Sequence, residues 1–288
     1  MNHDSGPSPR GQIRLTPVFT LGDFQISLIR DAVYWWDGGA YFGVVPKTLW
    51  NRKLPADELN RVPLAFNCYV IRTGDRTILI ETGGGDKMDS RARERMKLPP
   101  RPEPLSIDPE SVDIVINSHL HWDHCGGNTI LTADGPVPAF PRAHYFAPRG
   151  EWEHAHERHV RDAVSYIDAN YDPLIESERM TLVEDGHEVV PGVRMHTARG
   201  HNRDMMVVTA ESRGQTFVFL SDLVPSSSHL QPTWVMGFDL YPLETIASRT
   251  EWLSRAAAGE WLCGFGHDHQ IAFARIRKDP KASFALRE

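Results

Sequence analysis

Asn117-Ser118-His119-Leu120-His121-Trp122-Asp123-His124-Cys125-Gly126-Gly127 places four imidazole or carboxylate side chains within six residues. Just before it runs Val112-Asp-Ile-Val-Ile116, an apolar stretch that reads as a short buried strand. Alternate side chains of extended chain share a face, so His119 and His121 leave that strand pointing the same way and can bind one ion. A turn then brings Asp123 and His124 forward in a different direction, suited to a second ion nearby. Nitrogen and oxygen donors of this mix suit zinc, or iron, manganese, nickel or cobalt. The plainer alternative is a His-rich surface loop; four potential ligands between an apolar strand and Gly126-Gly127 weigh against it.

Outward from this run, the chain supplies context. Its 288 residues, 41% hydrophobic and 24% charged, suffice for a large core without covalent staples. Lys and Arg number 31 against 38 Asp and Glu, a net charge of −7 that disfavours nucleic acid or an anionic membrane as partner. Three scattered cysteines, Cys68, Cys125 and Cys263, form neither a disulfide framework nor a Cys-x-x-Cys pair, whereas histidines number 14. The N-terminal MNHDSGPSPRGQ has no apolar signal region and reads as a flexible tail over residues 1–12, leaving 13–288 as a single domain. No apolar run of membrane-spanning length occurs, and a cytoplasmic location follows by default.

Further strands are expected at 26–29, 67–71, 77–80, 193–196, 205–208 and 217–220. Helical signals lie between 148 and 180, with Val160, Val164 and Ile167 at i, i+4, i+7, and over 243–258, with Leu243, Ile246, Thr250 and Leu253 on one face. The Pro-rich run 98–104 reads as a surface loop. Strand clusters separated by helices imply sheets covered by helices.

The run His119-x-His121-x-Asp123-His124 resembles the signature of the metallo-β-lactamase-fold hydrolases, and the resemblance extends from about residue 66 to 275. Gly200-His201, Ser221-Asp222 and Gly266-His267 match the family's later ligand positions, in order and each at a strand end. The resemblance implies an α/β fold, an αβ/βα four-layer sandwich of two mixed sheets flanked by helices. It implies two divalent ions, zinc foremost with iron, manganese, cobalt or nickel as alternatives: His119, His121 and His201 hold one, Asp123, His124 and His267 the other, and Asp222 bridges. Two ions about 3.5–4 Å apart share a water and deliver hydroxide to an electrophilic centre. Asp123, a ligand beside that solvent, is the expected proton shuttle to the leaving group.

Some positions depart from the pattern. The usual Asp-Thr-Gly appears as Glu81-Thr82-Gly83, so the supporting role of its acid is carried by a longer side chain or left to solvent. After His201 the frequent Thr-Pro-Gly-His is replaced by Asn202-Arg203-Asp204-Met205, removing a fourth imidazole. Asp222, where zinc β-lactamases place Cys nearby, points to the lactonase, glyoxalase II and organophosphate-hydrolase side of the superfamily. A lactonase subgroup has Tyr three residues beyond the bridging Asp; Pro225 stands there instead and disfavours that subgroup, though not lactone or ester hydrolysis in general. The absence of Lys/Arg clusters counts against the superfamily's nucleases.

The aromatic stretch 34–50, with Trp35, Trp36 and Phe42 in a Gly/Pro-rich loop, serves equally as an apolar substrate wall or as a packing or homodimer surface. Trp234, Met236 and Phe238 are candidates for the opposite wall, and His229 for substrate contact or structure. His154, His156 and His159 read as a solvated helix face, His269 as a neighbour of the centre ranked behind His267, and Cys125 as a small buried filler. The functional expectation is a dinuclear metal hydrolase cleaving an ester-like bond, lactone or carboxyl ester first, in a small apolar substrate. Organophosphate triesters and β-lactams rank behind. From other classes, an iron-dependent redox enzyme and a non-catalytic binding protein are kept; His121 and the full ligand set argue against each in turn.

Overall fold

Successive side chains along the central strands enter apolar clusters on opposite faces, as the two-residue period of extended chain requires. In strands Arg61–Thr73 and Arg76–Ile80, Tyr69, Ile71, Ile78 and Ile80 enter one apolar cluster, while Cys68, Val70 and Leu79 enter another on the opposite face. Val193, Met195, Met206, Val208, Phe217 and Phe219 meet the first cluster from a second sheet, and Val207 and Val218 point away into a third. The two sheets therefore pack face to face. Tyr166, Tyr171 and Leu174 cover the outside of the first sheet, and Trp252, Leu253 and Ala256 of helix Pro242–Ala258 the outside of the second. This is the expected αβ/βα layering, seen in a computed structural model that describes residues 18–99 and 105–287. The tail 1–12 and residues 100–104 of the Pro-rich run lie outside the described residues, and Leu98, at the start of that run, is buried in a core cluster, not on a surface loop.

The first sheet has seven strands, ordered Phe19–Leu21, Phe24–Asp37, Arg61–Thr73, Arg76–Ile80, Ile114–Ile116, His144–Pro148 and Met180–Val183. The first four pair antiparallel and the last four parallel. The second has six, ordered Glu188–Val190, Val193–Thr197, Met206–Ser212, Gln215–Phe219, Leu262–Gly264 and Phe273–Ala274, with Gln215–Phe219 and Leu262–Gly264 parallel. Ile114–Ile116 and Leu262–Gly264 are buried throughout, as parallel strands covered on both faces must be.

Three local expectations are corrected. Between 148 and 180 the helix Arg149–Glu157 ends where Arg158 turns left-handed at φ 54°, followed by short turns and the helix Asp172–Glu176. Val160 and Val164 are 96% and 89% exposed; their spacing marks no α-helix, only the short 3-10 turn Ala163–Ser165, and the His154–Asp162 contact and the Arg158–Asp168 pair tie the segment in that form. Helix Pro242–Ala258 buries Thr245, Arg249, Trp252, Leu253 and Ala256, and Leu243 is 80% exposed, so its inner face is rotated from the one expected. The stretch 34–50 is not a loop. Tyr34–Asp37 completes a long strand, and Asp37 caps the helix Gly38–Phe42 by accepting from Ala40 N at 2.7 Å; a further turn spans Lys47–Trp50.

Candidate metal centre

The seven expected side chains converge from loops that leave strand ends in both sheets. His119, His121, Asp123 and His124 follow Ile114–Ile116; His201 follows Val193–Thr197, Asp222 follows Gln215–Phe219, and His267 follows Leu262–Gly264. Ligand sites outside the carboxyl ends of parallel strands are the general rule for open α/β sheets. His121 precedes the short helix Trp122–Cys125, which turns Asp123 and His124 back toward the other imidazoles. Gly126 allows this loop to press on its neighbour: a Cβ there would lie 2.4 Å from Gly84 O. Glu81 and Ser221, both non-glycine, hold positive φ of 62° and 47° beside the centre, a local strain characteristic of functional sites.

Three groups of donors form: His119, His121 and His201; His119, His124 and Asp222; and Asp123, His124 and His267. Asp222 is split between the outer two. Its Oδ2 lies 3.3 Å from His201 Nε2, while Oδ1 lies 3.0 Å from His267 Nε2 and 3.4 Å from His124 Nε2. His201 Nε2 and His121 Nδ1 stand 3.1 Å apart, as do the Nε2 atoms of His267 and His124. Asp123 Oδ2 is 3.7 Å from His267 and 3.8 Å from His124.

Most imidazoles are gripped from behind. His201 Nδ1 faces Asp239 Oδ1 at 3.0 Å, His267 Nδ1 faces the Ala65 carbonyl at 2.8 Å, and His119 Nδ1 faces Ser118 Oγ at 3.0 Å. Glu81 lies 3.7 Å from His124 Nδ1 and accepts from Ser118 N at 3.0 Å, so the longer acid does serve as a support. Burial and the surrounding imidazoles hold His119 and His121 well below the ordinary histidine range. For His124, His201 and His267 burial acts the same way, but Asp222 overrides it and raises them. Asp222 is held well below the usual carboxylate range by His267, His124 and His201, against the opposing effect of burial.

This donor set fits divalent cations. His119 Nε2 is buried with no hydrogen-bond partner, an expensive arrangement for a protein alone and the expected one for a ligand.

Other expected residues fall differently. Phe42 and His229 are fully buried and stack at 5.0 Å, with His229 Nε2 on Tyr41 O and Nδ1 on Ser226 Oγ, so both are core and neither walls a pocket. Trp234 packs edge-on to Phe42 and is almost wholly buried. Trp35 lies under Lys97; Trp36, half-buried, faces Phe238 with ring centroids 6.2 Å apart. His269 stands outside the three donor groups, its carbonyl taken by Arg30. His154 is turned inward onto Asp162 at 2.8 Å, a correction to the solvated face. His156 forms an outer group with Asp168 and Asp172, carboxylates already engaged by Arg158, Tyr171 and Trp152. Cys125 is buried, with its thiol on the Leu120 carbonyl. Sequence reasoning missed Glu151, Tyr166 and Asp239, whose partners lie far away in the chain and leave no local signal.

The profile of the metallo-beta-lactamase superfamily matches residues 61–278. The chain belongs to this superfamily. It is 25% identical over 239 residues to an N-acyl homoserine lactonase of a Bacillus species, covering 76% of this chain and 86% of that one. A similar match, 25% over 230 residues, is to an N-acyl homoserine lactonase of Bacillus cereus, covering 73% and 83%. Among solved structures, a probable metal-dependent hydrolase from Staphylococcus aureus superposes with a TM-score of 0.83 at 27% identity, covering 94% of this chain and 99% of that one. The dizinc quorum-quenching lactonase AidC, in complex with a hexanoyl homoserine product, shares the fold at a TM-score of 0.73 and 17% identity, covering 94% and 96%. This metallo-beta-lactamase-fold protein is a metal-dependent hydrolase. Among its described residues no helix is long and apolar enough to cross a membrane.

Proposed function

We propose that this hydrolase is dinuclear and cleaves lactones or carboxyl esters of small apolar acyl compounds. The observation carrying the proposal is Asp222, whose two oxygens face different histidine sets, Oδ2 toward His201 and Oδ1 toward His124 and His267. His119, His121 and His201 would hold one ion, Asp123, His124 and His267 the other, with zinc the metal favoured by the donors. Bound there, such ions polarise a carbonyl and lower the pKa of a coordinated water toward neutrality. The relatives named N-acyl homoserine lactonase support a lactone as the bond cleaved.

Hydrolysis adds water across the acyl C–O bond, hydroxyl to carbon and proton to the departing alkoxide. Asp123 is the residue we assign to carry that proton; its side chain is 17% exposed, the most open of the carboxylates and imidazoles paired at the centre. Trp36 and Phe238 are the proposed apolar wall, Phe238 being next to the Asp239 that grips His201. Because the ligands come from both sheets, the two halves are proposed to act as one domain.

The test is elemental analysis with a screen of metal-loaded protein against lactones, aryl esters, thioesters, phosphotriesters and β-lactams, with His121→Ala as control. Two equivalents of zinc and lactone or ester hydrolysis that His121→Ala abolishes are expected. One iron with oxygen uptake overturns the proposal, and turnover confined to phosphotriesters or β-lactams overturns its substrate class.

A further inference from the structure

His121 meets the centre in the opposite sense to its neighbours. Its Nδ1 faces His201 Nε2 at 3.1 Å, so Nε2 points outward, 3.3 Å from the side-chain amide of Asn202. Asn202 stands where the resembled pattern has the Thr of Thr-Pro-Gly-His. The amide is buried and also meets two further groups, Glu151 Oε2 at 3.0 Å and the Tyr166 hydroxyl at 3.0 Å. Glu151 is itself fully buried in the first turn of Arg149–Glu157 and accepts from Leu120 N at 3.4 Å and Tyr166 OH at 3.3 Å. The Tyr166 ring packs edge-on against His121 with centroids 4.9 Å apart.

Two oxygens in this network, Asn202 Oδ1 and Glu151 Oε1, are buried without a hydrogen-bond partner. Turning the Asn202 amide through 180° sets Oδ1 against His121 Nε2, the Tyr166 hydroxyl and Glu151 Oε2, and carries Nδ2 to the side where the oxygen had no partner. If His121 uses Nδ1 as a ligand atom, its ring proton must reside on Nε2, and that N–H then needs an acceptor. Asn202 Oδ1 in the turned amide is that acceptor. The Tyr166 hydroxyl donates to Glu151 Oε2 in the same network; burial pushes Glu151 up to about 6, and its Oε2 meets the turned amide favourably in the protonated form.

We propose that Asn202, braced by Glu151 and Tyr166, is a positioning residue that fixes His121 with Nδ1 inward and its proton on Nε2. The proposal rests on the metal reading above. It gives the departure at 202 a purpose: the loop that loses a fourth imidazole gains the clamp for the second one. Clamps of this kind on metal-ligating histidines are worth roughly ten- to hundred-fold in metal affinity.

The experiment compares wild type, Asn202→Leu and Asn202→Asp by zinc titration against a chelator, with thermal unfolding of each metal-free protein and long-range proton–nitrogen NMR of the zinc-loaded wild type. Expected are two zinc equivalents in wild type and a His121 ring protonated at Nε2. Asn202→Leu should lose affinity by about ten- to hundred-fold at one of the two equivalents with its metal-free melting temperature kept. Asn202→Asp, which retains an acceptor, should recover most of the loss. Wild type holding two zinc ions while Asn202→Leu binds as tightly, or while His121 carries its proton on Nδ1, overturns this inference alone. Wild type binding no zinc overturns the metal reading as well. Should Asn202→Leu fail to fold, the His121 tautomer and the Asn202→Asp affinity decide.

Discussion

Arg249 offers a sharp test of how the outer helix controls the centre. It is buried on the inner face of Pro242–Ala258 and donates to three backbone carbonyls: Leu223 at 2.7 Å, Pro232 at 3.3 Å and Trp234 at 2.5 Å. Those carbonyls belong to the segment that leaves Asp222 and leads to Asp239, the partner of His201. Burial lowers the guanidinium to about 10, so it remains charged at neutral pH. In Arg249→Met the apolar stem is replaced and the three acceptors lose a charged donor. Each buried acceptor left unpaired costs about 1–3 kcal/mol, and release of a buried charge that has one nitrogen without a partner offsets part of this. The net loss is about 4 kcal/mol, the size expected for breaking a buried charged network. With an unfolding entropy near 2.1 cal/mol/K per residue, that lowers the melting temperature by about 7 °C. Calorimetry of the metal-free variant reads the stability term, and zinc titration reads whether the loosened segment also weakens the grip on His201. A stability loss below about 1 kcal/mol, within the range of ordinary surface changes, would refute the stapling argument.

Asp123→Asn should lower kcat far more than it raises KM, and unchanged turnover at full metal content removes Asp123 from proton transfer. Phe42→Ala empties a core position stacked on both Trp50 and His229; denaturant titration should show a loss of about 3–5 kcal/mol, and a loss under 1 kcal/mol would restore Phe42 as a surface residue. His229 is held down to about 3, first by burial and then by Arg249. The unfolded chain therefore binds a proton there below about pH 6.5 that the folded chain refuses until near pH 3, and stability must fall as pH drops through that window. His229→Gln should flatten the dependence in metal-free protein; an unchanged slope between pH 7 and 4 contradicts the burial argument.

The strands and the ligand run were legible in the sequence because each rests on local pattern. Val112–Ile116 ends in a polar turn, and alternation in 67–80 sorts side chains to two faces. The failures are equally physical. Val160, Val164 and Ile167 have helical spacing, yet Asp162 and Asp168 draw His154 and Arg158 into contacts that a helix would break. The aromatics of 34–50 look like a loop wall in a list, but Phe42 finds Trp50 and His229 and becomes core. Helix 242–258 turns its inner face to suit Arg249, an argument no hydrophobic count includes. Glu151, Asn202 and Asp239 gain meaning from partners distant in the chain, 38 to 81 residues away for Asp239–His201, Asn202–Glu151 and Asn202–His121.

The two sheets each contribute donors to one small cluster, and this has a consequence beyond chemistry. One cation held by His119 of the first sheet and His201 of the second, and another by His124 of the first and His267 of the second, would act as cross-links that the three free cysteines do not supply. A ligand at a thousand times its dissociation constant adds about 4 kcal/mol to the folded state. Heat resistance would then track the metal supply of the surroundings: a starved chain would open along the seam between its halves sooner than a replete one.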